Sequence, residues 1–276
     1  MADAGHQPML QHLGERTVTA VADVGQFGRF AGRMFGWLFR SGTRWRLLAP
    51  QLYEIGVRSI PVVAITGVFV GMVLAVQIYD QIYATAARNR AGLLVNISVV
   101  RELGPVLAGV MLAGRVGGAL AAEMGTMKVT EQIDALVSLA ADPVRYLVVP
   151  RFLACLLLIP FLTVYCDFMG VLGGYAIVIW AYGESSADYW YYSAQGIETF
   201  DVMAGVVKSL FFGGAIALIS CYKGFHSRPG AEGVGRATTE AFVLSFIAIL
   251  IINLFMAILF QAFYAAVWGT PPTASW

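Results

Sequence analysis

The stretch AFVLSFIAILIINLFMAILFQAFYAAVW, residues 241–268, contains no charged side chain. A membrane-spanning helix needs about 20 mostly apolar residues, so this stretch predicts a transmembrane helix. The whole chain has the same character: of its 276 residues, 58% are hydrophobic and 13% are charged, whereas soluble domains carry about 25% charge. The composition excludes a soluble globule, a disordered chain and a disulfide-rich secreted module. A net charge of +1 gives no reason to expect nucleic acid as a partner.

Four further apolar stretches precede this one, and together they predict five transmembrane helices. They cover residues 59–79, 92–122, 146–182 and 202–222. The stretch at 146–182 is long for one helix and short for two, and the distribution of Lys and Arg decides between the two counts. One helix there leaves thirteen of the eighteen basic residues on one side of the membrane. The sequence therefore predicts five spans, with the N-terminus in the cytoplasm and the C-terminus outside.

The predicted fold class is an all-α integral membrane protein with an amphipathic helix before its five spans. Residues 1–58 form a cytoplasmic N-terminal segment, 59–268 a five-helix membrane domain, and 269–276 a short outer tail. Residues 18–40 of the first segment have an amphipathic helical pattern. Its apolar face consists of Phe27, Phe30, Met34, Trp37 and Leu38, and its opposite face of Arg29, Arg33 and Arg40. This pattern is typical of a helix that lies in the membrane interface.

A stripe of small residues separates the two faces of this helix. It consists of Gly25, Gly28, Gly32 and Gly36. Glycines at a spacing of four let another helix approach closely. The stripe could pack against the chain's own spans, or it could dock a membrane helix of a partner, and the sequence leaves both open. The same spacing recurs within the spans, at Gly67 and Gly71, Gly114 and Gly118, and Gly170 and Gly174.

Polar side chains inside the predicted spans are costly and are therefore candidates for function. At 1.5 Å per residue, Lys208 lies roughly 9 Å and Glu102 roughly 10–15 Å below the outer ends of their spans. Arg101 and Asn253 fall in the same layer, in the outer half of the bilayer. The layer could be a structural ion pair, or a binding patch for an anionic or zwitterionic headgroup. The Gly104–Pro105 pair predicts an irregular helix beside these charges. Arg115 and Glu123 lie toward the inner end, where we expect a structural or interfacial role.

The inner loop between the second and third spans reads MGTMKVTEQIDALVSLAAD, residues 124–142. Thr130 precedes an acidic first turn, and apolar residues then repeat at three and four, which predicts a short amphipathic helix near 128–141. This helix could be a lever for a soluble partner, or it could lie on the membrane surface. The chain contains no GxxxxGK[ST], HExxH or GxSxG motif, so we predict no catalytic residues, no metal site and no cofactor bound by this chain.

The stretch RELGPVLAGVMLAGRVGGALAAEMGTMKVTEQIDALVSLAADPVRYLVVPR, residues 101–151, resembles the signature region of the MlaE/YrbE-type permeases. These are the membrane subunits of the MCE-associated lipid ABC transporters. The stretch EGVGRATTEAFV, residues 232–243, resembles the second marker of the family, and the resemblance runs over roughly 55–265. It implies a permease of the bacterial inner membrane that transports phospholipid or a related lipid and forms a homodimer. Its implied partners are a cytoplasmic ABC ATPase that uses ATP, a STAS-domain protein, and an MCE protein on the outer side.

The resemblance also implies roles for individual residues. Arg101, Glu102 and Lys208 match charged positions that line the lipid cavity of the family, and Asn253 stands where some relatives carry an acid. The ATPase-coupling segment of the family corresponds here to Thr130, Glu131, Gln132, Asp134 and Ala135. The glycine stripe lies in the N-terminal region near which the helices of the MCE protein are anchored.

Two other classes of function compete with a lipid permease. An ion-coupled secondary transporter could use Glu102 and Lys208 as a proton relay. Its odd span count and the lack of an internal repeat argue against this, because such carriers are commonly built from repeats. A membrane scaffold that transports nothing would not need a charged layer at depth.

Overall fold

The structure, a computed structural model, describes residues 7–40, 45–82 and 90–269. All regular elements in these ranges are helical. Five of the helical runs are long and apolar enough to cross a membrane: Trp45–Ile82, Ala91–Val129, Val144–Ala181, Thr199–Phe225 and Ala231–Val267. The predicted all-α fold with five spans is therefore confirmed. Residues 270–276 of the predicted outer tail lie outside the described residues.

The first span begins earlier than the sequence predicts. It follows the N-terminal helix α1 (Gln7–Arg40) and consists of α2 (Trp45–Ile55), a short 3₁₀ turn at Val57–Ser59, and α3 (Ile60–Ile82). A Cβ atom on Gly56, at the bend, would lie 2.7 Å from a backbone oxygen of α2. The chain turns tightly there, and α2 packs against the third span.

The second span is widened at two places rather than broken. It consists of α4 (Ala91–Ser98), α5 (Gly104–Leu112) and α6 (Gly118–Val129). Two π-helical segments, Val99–Leu103 and Ala113–Gly117, join these three pieces. The predicted irregularity is present, but Gly104 itself is α-helical, with φ −59° and ψ −57°. The expectation that Gly104 leaves α geometry is therefore wrong.

The reason for the irregularity lies in the hydrogen bonds of Pro105. Proline has no N–H, and its ring excludes the carbonyl group four residues earlier, which belongs to Arg101. The π segment that contains Arg101 absorbs this conflict, and the freed carbonyl oxygen of Arg101 accepts a hydrogen bond from Lys208 Nζ at 3.2 Å. Pro105 of the second span thus leaves the Arg101 carbonyl free to bind Lys208 of the fourth span.

The third span is a single helical run, as predicted. It consists of α8 (Val149–Ala176), with π segments at Val144–Val148 and Ile177–Ala181, and it follows the short helix α7 (Gln132–Ser138). It is the most buried of the five spans and packs against α3 on one side and α10 (Thr199–Phe225) on the other. Between α8 and α10 lies α9 (Ser186–Gly196), and the chain continues into α11 (Ala231–Trp268), the most exposed span.

Two of the three predicted pairs of packing glycines lie at close helix contacts. Gly67 and Gly71 face Cys166 and Gly170 on α8. Gly170 and Gly174 also face Val99 and Val95 of the second span. The third pair differs, because Gly114 meets only the ring of Phe242 at 3.5 Å and Gly118 faces open space.

The apolar face of α1 packs against the rest of the protein, a contact that the sequence pattern did not predict. Phe30 and Met34 are buried, and the ring of Phe30 contacts Tyr222, Phe225 and His226 at the end of α10. The cause is that lipid and a protein core favour the same amphipathic pattern. A position of α1 in the membrane interface stays a prediction.

Candidate functional site

Three helices bring the predicted polar layer together at one point. Lys208 Nζ on α10 lies 2.6 Å from Glu102 Oε1 in the first π segment. Asn253 Nδ2 on α11 donates to Glu102 Oε2 at 3.2 Å. Glu102 therefore joins the second, fourth and fifth spans. The depth arithmetic from the sequence correctly placed these side chains at one level.

Arg101 forms an ion pair with Asp201, a partner that the sequence analysis missed. Its Nε lies 2.6 Å from Asp201 Oδ1, and the side chain of Asp201 is only 3% exposed. Asp201 Oδ2 accepts from the backbone N–H of Glu198 at 3.1 Å, within a capping box at the start of α10. The sequence signal was an acid three residues after Glu198, just before an apolar run. The predicted fourth span begins at residue 202 and therefore leaves Asp201 outside it.

These charges line one end of a cavity of about 270 Å³. Arg101, Glu102, Asp201 and Lys208 form the polar end, and Asn253 reaches Glu102 from beside it. The remaining wall comes from side chains of α10 and α11, namely Phe200, Ala204, Ala257, Phe260, Gln261 and Tyr264. A charged end beside an apolar wall suits an amphiphile.

The two members of the central ion pair differ in exposure. The side chain of Lys208 is 3% exposed, and that of Glu102 is 48% exposed. A buried ammonium group needs a nearby anion, because desolvating it alone is costly. Lys208 is therefore held in place by Glu102 and the Arg101 carbonyl. Glu102 keeps a free side, which a ligand can reach.

The amphipathic helix predicted near 128–141 is shorter than expected and starts later. α6 runs on to Val129, and Thr130 Oγ1 bonds back to the carbonyl of Thr126 at 2.8 Å, so Thr130 closes α6. Glu131 then adopts a left-handed conformation with φ 58°. This turn separates the predicted helix near 128–141 into two pieces, and only Gln132–Ser138 forms α7.

α7 is anchored by one residue and is otherwise accessible. Ile133 is buried, whereas Gln132, Asp134 and Ala135 are exposed. Val137 and Leu139 also expose 58% and 78% of their surface. Lys128 Nζ of α6 lies 2.9 Å from Asp134 Oδ1 and ties the two helices together. The ion pair and Ile133 therefore connect α7 to the membrane domain, while the rest of α7 stays accessible.

The glycine stripe of α1 faces open space. At Gly25, Gly28, Gly32 and Gly36, a Cβ atom would meet nothing within 4 Å. Within the described residues the stripe therefore does not pack against the chain's own spans, and the first of the two interpretations from the sequence is wrong. Another part of α1 is fixed by Asp142, which lies 2.9 Å from Arg33 and accepts from Trp37 Nε1 at 2.7 Å.

A buried polar network fixes the outer ends of the spans. Tyr189 of α9 donates to Asn96 Oδ1 at 2.8 Å and approaches the carbonyl of Val171 at 3.0 Å, while Asn96 Nδ2 donates to Ser193 at 2.8 Å. Burial raises the pKa of Tyr189 to about 12, although its hydrogen bond with Asn96 opposes the shift. The network ties α9 to α4 and α8 above the cavity.

Comparison with known proteins identifies the family. The family model described as Permease MlaE matches residues 48–259. A probable ABC transporter permease protein of Rickettsia conorii is 45% identical over 248 residues, which cover 90% of this chain and 96% of the relative. One of Synechocystis is 39% identical, over 95% of this chain and 97% of the relative.

A third relative carries a more specific name. The Haemophilus influenzae protein named intermembrane phospholipid transport system permease protein MlaE is 34% identical over 240 residues. The match covers 85% of this chain and 92% of that protein. The family match reaches all five membrane helices, covers α3 to α10 in full and most of α2 and α11, and includes the charged residues of the cavity. On this basis the chain belongs to the MlaE permease family.

Proposed function

We propose that this chain is the membrane permease subunit of an ABC transporter that moves phospholipid, and that the cavity at Glu102 holds the lipid headgroup. The observation that carries the proposal is an ion pair at membrane depth that opens into a cavity with an apolar wall. The names of the relatives support the same activity.

The geometry fits a zwitterionic headgroup. Glu102 is the exposed member of its pair and can receive an ammonium group. Arg101, whose side chain is 30% exposed, can receive a phosphate through its remaining guanidinium donors. Phe200 and Phe260 supply apolar surface along which acyl chains can lie. Asn253 holds Glu102 in position from the α11 side.

The energy source belongs to a separate subunit in this proposal, and the chain itself is not an enzyme. A cytoplasmic ATPase would hydrolyse ATP and push on α7 at its exposed residues Gln132, Asp134 and Ala135. The Lys128–Asp134 ion pair would pass this motion into α6. The second span is one helical run that leads from α6 through the two π segments and α5 to Glu102. The proposed ATPase contact and the headgroup site would therefore be connected by this run.

The remaining partners follow from the exposed surfaces. α11 is mostly exposed in the single chain, which supports a second copy of the permease as its neighbour. The open glycine stripe supports a transmembrane helix of an MCE-domain protein, and a STAS-domain protein is the further expected subunit. The distribution of basic residues supports a bacterial inner-membrane protein with a cytoplasmic N-terminus and a periplasmic C-terminus.

The test is ATP-driven lipid transfer by the assembled complex in vesicles. Glu102→Ala and Lys208→Ala should each abolish transfer and lower the stability of the permease, because the central ion pair is lost, while the permease still assembles. Lys223→Ala is the matched control, because Lys223 lies on the same helix and also forms an ion pair, with Glu240 at 2.9 Å, away from the cavity. We expect this control to transport lipid normally.

The charge swap Glu102→Lys with Lys208→Glu separates a binding site from a structural pair. If the pair is only structural, the swap should restore both stability and transport. We expect it to restore stability alone, because Glu102 and Lys208 differ in exposure and the accessible charge would become positive. Full transport by the swapped protein would refute the headgroup site.

A further inference from the structure

A second polar cavity lies farther along the same helix, and the function proposed above does not use it. Its volume is about 270 Å³, and it lies between α2 and α6. Its polar lining consists of Gln51, Glu54, Arg115 and Glu123, and Ile55 and Leu120 contribute apolar wall. From the sequence alone, Arg115 and Glu123 pointed only to a structural or interfacial role.

The second cavity lies at the opposite leaflet from the first. Arg115 follows Glu102 by thirteen residues, which is about 20 Å along a helix. Glu102 itself is roughly 10–15 Å below the outer end of the span. The hydrocarbon core is about 30 Å thick, so Arg115 reaches the inner boundary of the core, where headgroups of the inner leaflet lie.

Arg115 is held in place but is mostly unpaired. It belongs to the second π segment, Ala113–Gly117, just as Glu102 belongs to the first. Arg115 Nη1 donates to the hydroxyl of Ser59, which is fully buried. Ser59 in turn donates to the carbonyl of Ile55 at 2.5 Å. Among the described residues, Arg115 has no other hydrogen bond or ion pair, so most of its donors remain available.

The two carboxylates of the cavity are also fixed by one partner each. Glu54 Oε1 lies 2.6 Å from Arg58, and Glu123 Oε1 lies 2.7 Å from Arg151. Arg151 is 5% exposed, so Glu123 is tied to a buried cation, yet the side chains of Glu54 and Glu123 are each 50% exposed. The cavity therefore presents one guanidinium and two carboxylates, all oriented by other residues.

We infer that this second cavity binds the zwitterionic headgroup of an inner-leaflet phospholipid, with its phosphate at Arg115 and its ammonium at Glu54 and Glu123. The inference rests on the proposed lipid transport. A planar guanidinium suits a phosphate group, and a carboxylate pair suits an ammonium. The permease then has one headgroup site in each leaflet, both on the second span and both at a π segment, where functional sites are frequent.

The experiment is photocrosslinking in vesicles of phosphatidylethanolamine and phosphatidylglycerol that contain radiolabelled phosphatidylethanolamine. A photoreactive benzoylphenylalanine replaces Ala119, which lines the second cavity, or Ala257, which lines the first. Phe161, 73% exposed on α8, provides the reference for contact with bulk lipid. We expect yields at 119 and at 257 that both exceed the yield at 161.

Arg115→Gln should lower the yield at position 119 about tenfold, as expected for the loss of a charge-assisted hydrogen bond, and leave the yield at 257 unchanged. Arg115→Lys should recover part of the signal. Arg236→Gln is the control, because Arg236 is an exposed arginine remote from both cavities. If Arg115→Gln does not fold, the half-exposed pair Glu54→Gln and Glu123→Gln replaces it, with the same expected loss.

The two positions separate the inference from the proposed function. A yield at 119 that stays at the level of 161, or that does not change in the Arg115 and glutamate variants, overturns the second site while the signal at 257 stands. If 257 also stays at the level of 161, the lipid-binding function itself is refuted.

Discussion

Gly71→Ala tests the close approach of α3 and α8 in the core of the membrane domain. A Cβ atom at Gly71 would lie 2.6 Å from the carbonyl carbon of Gly170 and 2.9 Å from its Cα, and it would be closer still to the carbonyl oxygen. Ordinary contact begins at 3.4 Å. The obstacle is backbone, which cannot rotate away as a side chain can. One methyl group would therefore push the two helices apart by roughly 1.5 Å, the shift that its contact with the carbonyl oxygen requires.

The magnitude follows from two opposing effects. Alanine gains about 1 kcal/mol of helix propensity over glycine. Overpacking by one methyl group costs about 1–3 kcal/mol, and this contact belongs at the upper end because backbone meets backbone and Gly67 shares the interface. We expect a net loss of about 2 kcal/mol in the free energy of unfolding.

Thermal unfolding in detergent with a thiol-reactive dye measures this loss, since Cys155, Cys166 and Cys221 are free and buried. Gly71→Ala should lower the midpoint by about 5 °C. Gly118→Ala is the control, because its methyl group would enter open space, and its midpoint should stay the same or rise. Equal midpoints for the two variants would refute the reasoning from backbone contact.

Four further outcomes are expected. Glu131→Lys together with Asp134→Lys should leave the permease folded, because both side chains are exposed, but should uncouple ATP hydrolysis from lipid transfer; normal transfer would exclude α7 as the ATPase contact. Gly32→Leu should abolish co-purification with the MCE protein and preserve the permease dimer, whereas unchanged co-purification would argue against docking at the stripe. A reporter inserted at Ser227 should report the cytoplasm and one fused after the last residue the periplasm; the reverse would overturn the orientation. Tyr189→Phe should cost about 1–3 kcal/mol, because it leaves the buried Oδ1 of Asn96 without its hydrogen-bond donor. Since burial raises the pKa of Tyr189 from 10.0 to about 12, the protein holds this proton more tightly when folded. The protein should therefore lose stability as the pH rises from about 10 to 12. The Tyr189→Phe variant should not show the part of this loss that comes from Tyr189. Unfolding midpoints of both proteins, measured against pH, would test this.

The spans and the level of the polar layer could be predicted because both depend on distance along the membrane normal. Hydropathy gives the ends of a span, and a rise of 1.5 Å per residue then gives the depth of Glu102 and Lys208. A depth calculated in this way does not say in which direction around the helix axis a side chain points. It could therefore place Asn253 at the same level without showing that its amide reaches Glu102.

The parts that the sequence analysis missed depend on local hydrogen bonds and on which partner covers a face. Asp201 lies next to a segment whose composition is typical of an outer loop. Its position beside Arg101 depends on the hydrogen bonds of the helix cap, which composition does not show. The effect of Pro105 was expected at Gly104, one residue before the proline, but it acts through the carbonyl of Arg101, four residues before. Phe30 and Met34 were assigned to lipid because the pattern shows that a face is apolar but not what covers it.

The winding of the second span has a consequence for changes in chain length. A π segment contains one residue more than regular α-helical turns of the same length require, and its wider winding absorbs that residue locally. Deleting one residue from Val99–Leu103 would let the segment rewind as α-helix, so Gly109 would keep facing the ring of Phe212, which it now contacts. Deleting one residue from α5 would instead rotate everything that follows by about 100°. Neither deletion would change the mean hydropathy of the helix much. The tolerance of this helix to a change in length therefore depends on where the change falls, and the π segments are the places where one residue can be lost with the later side chains still on their present faces.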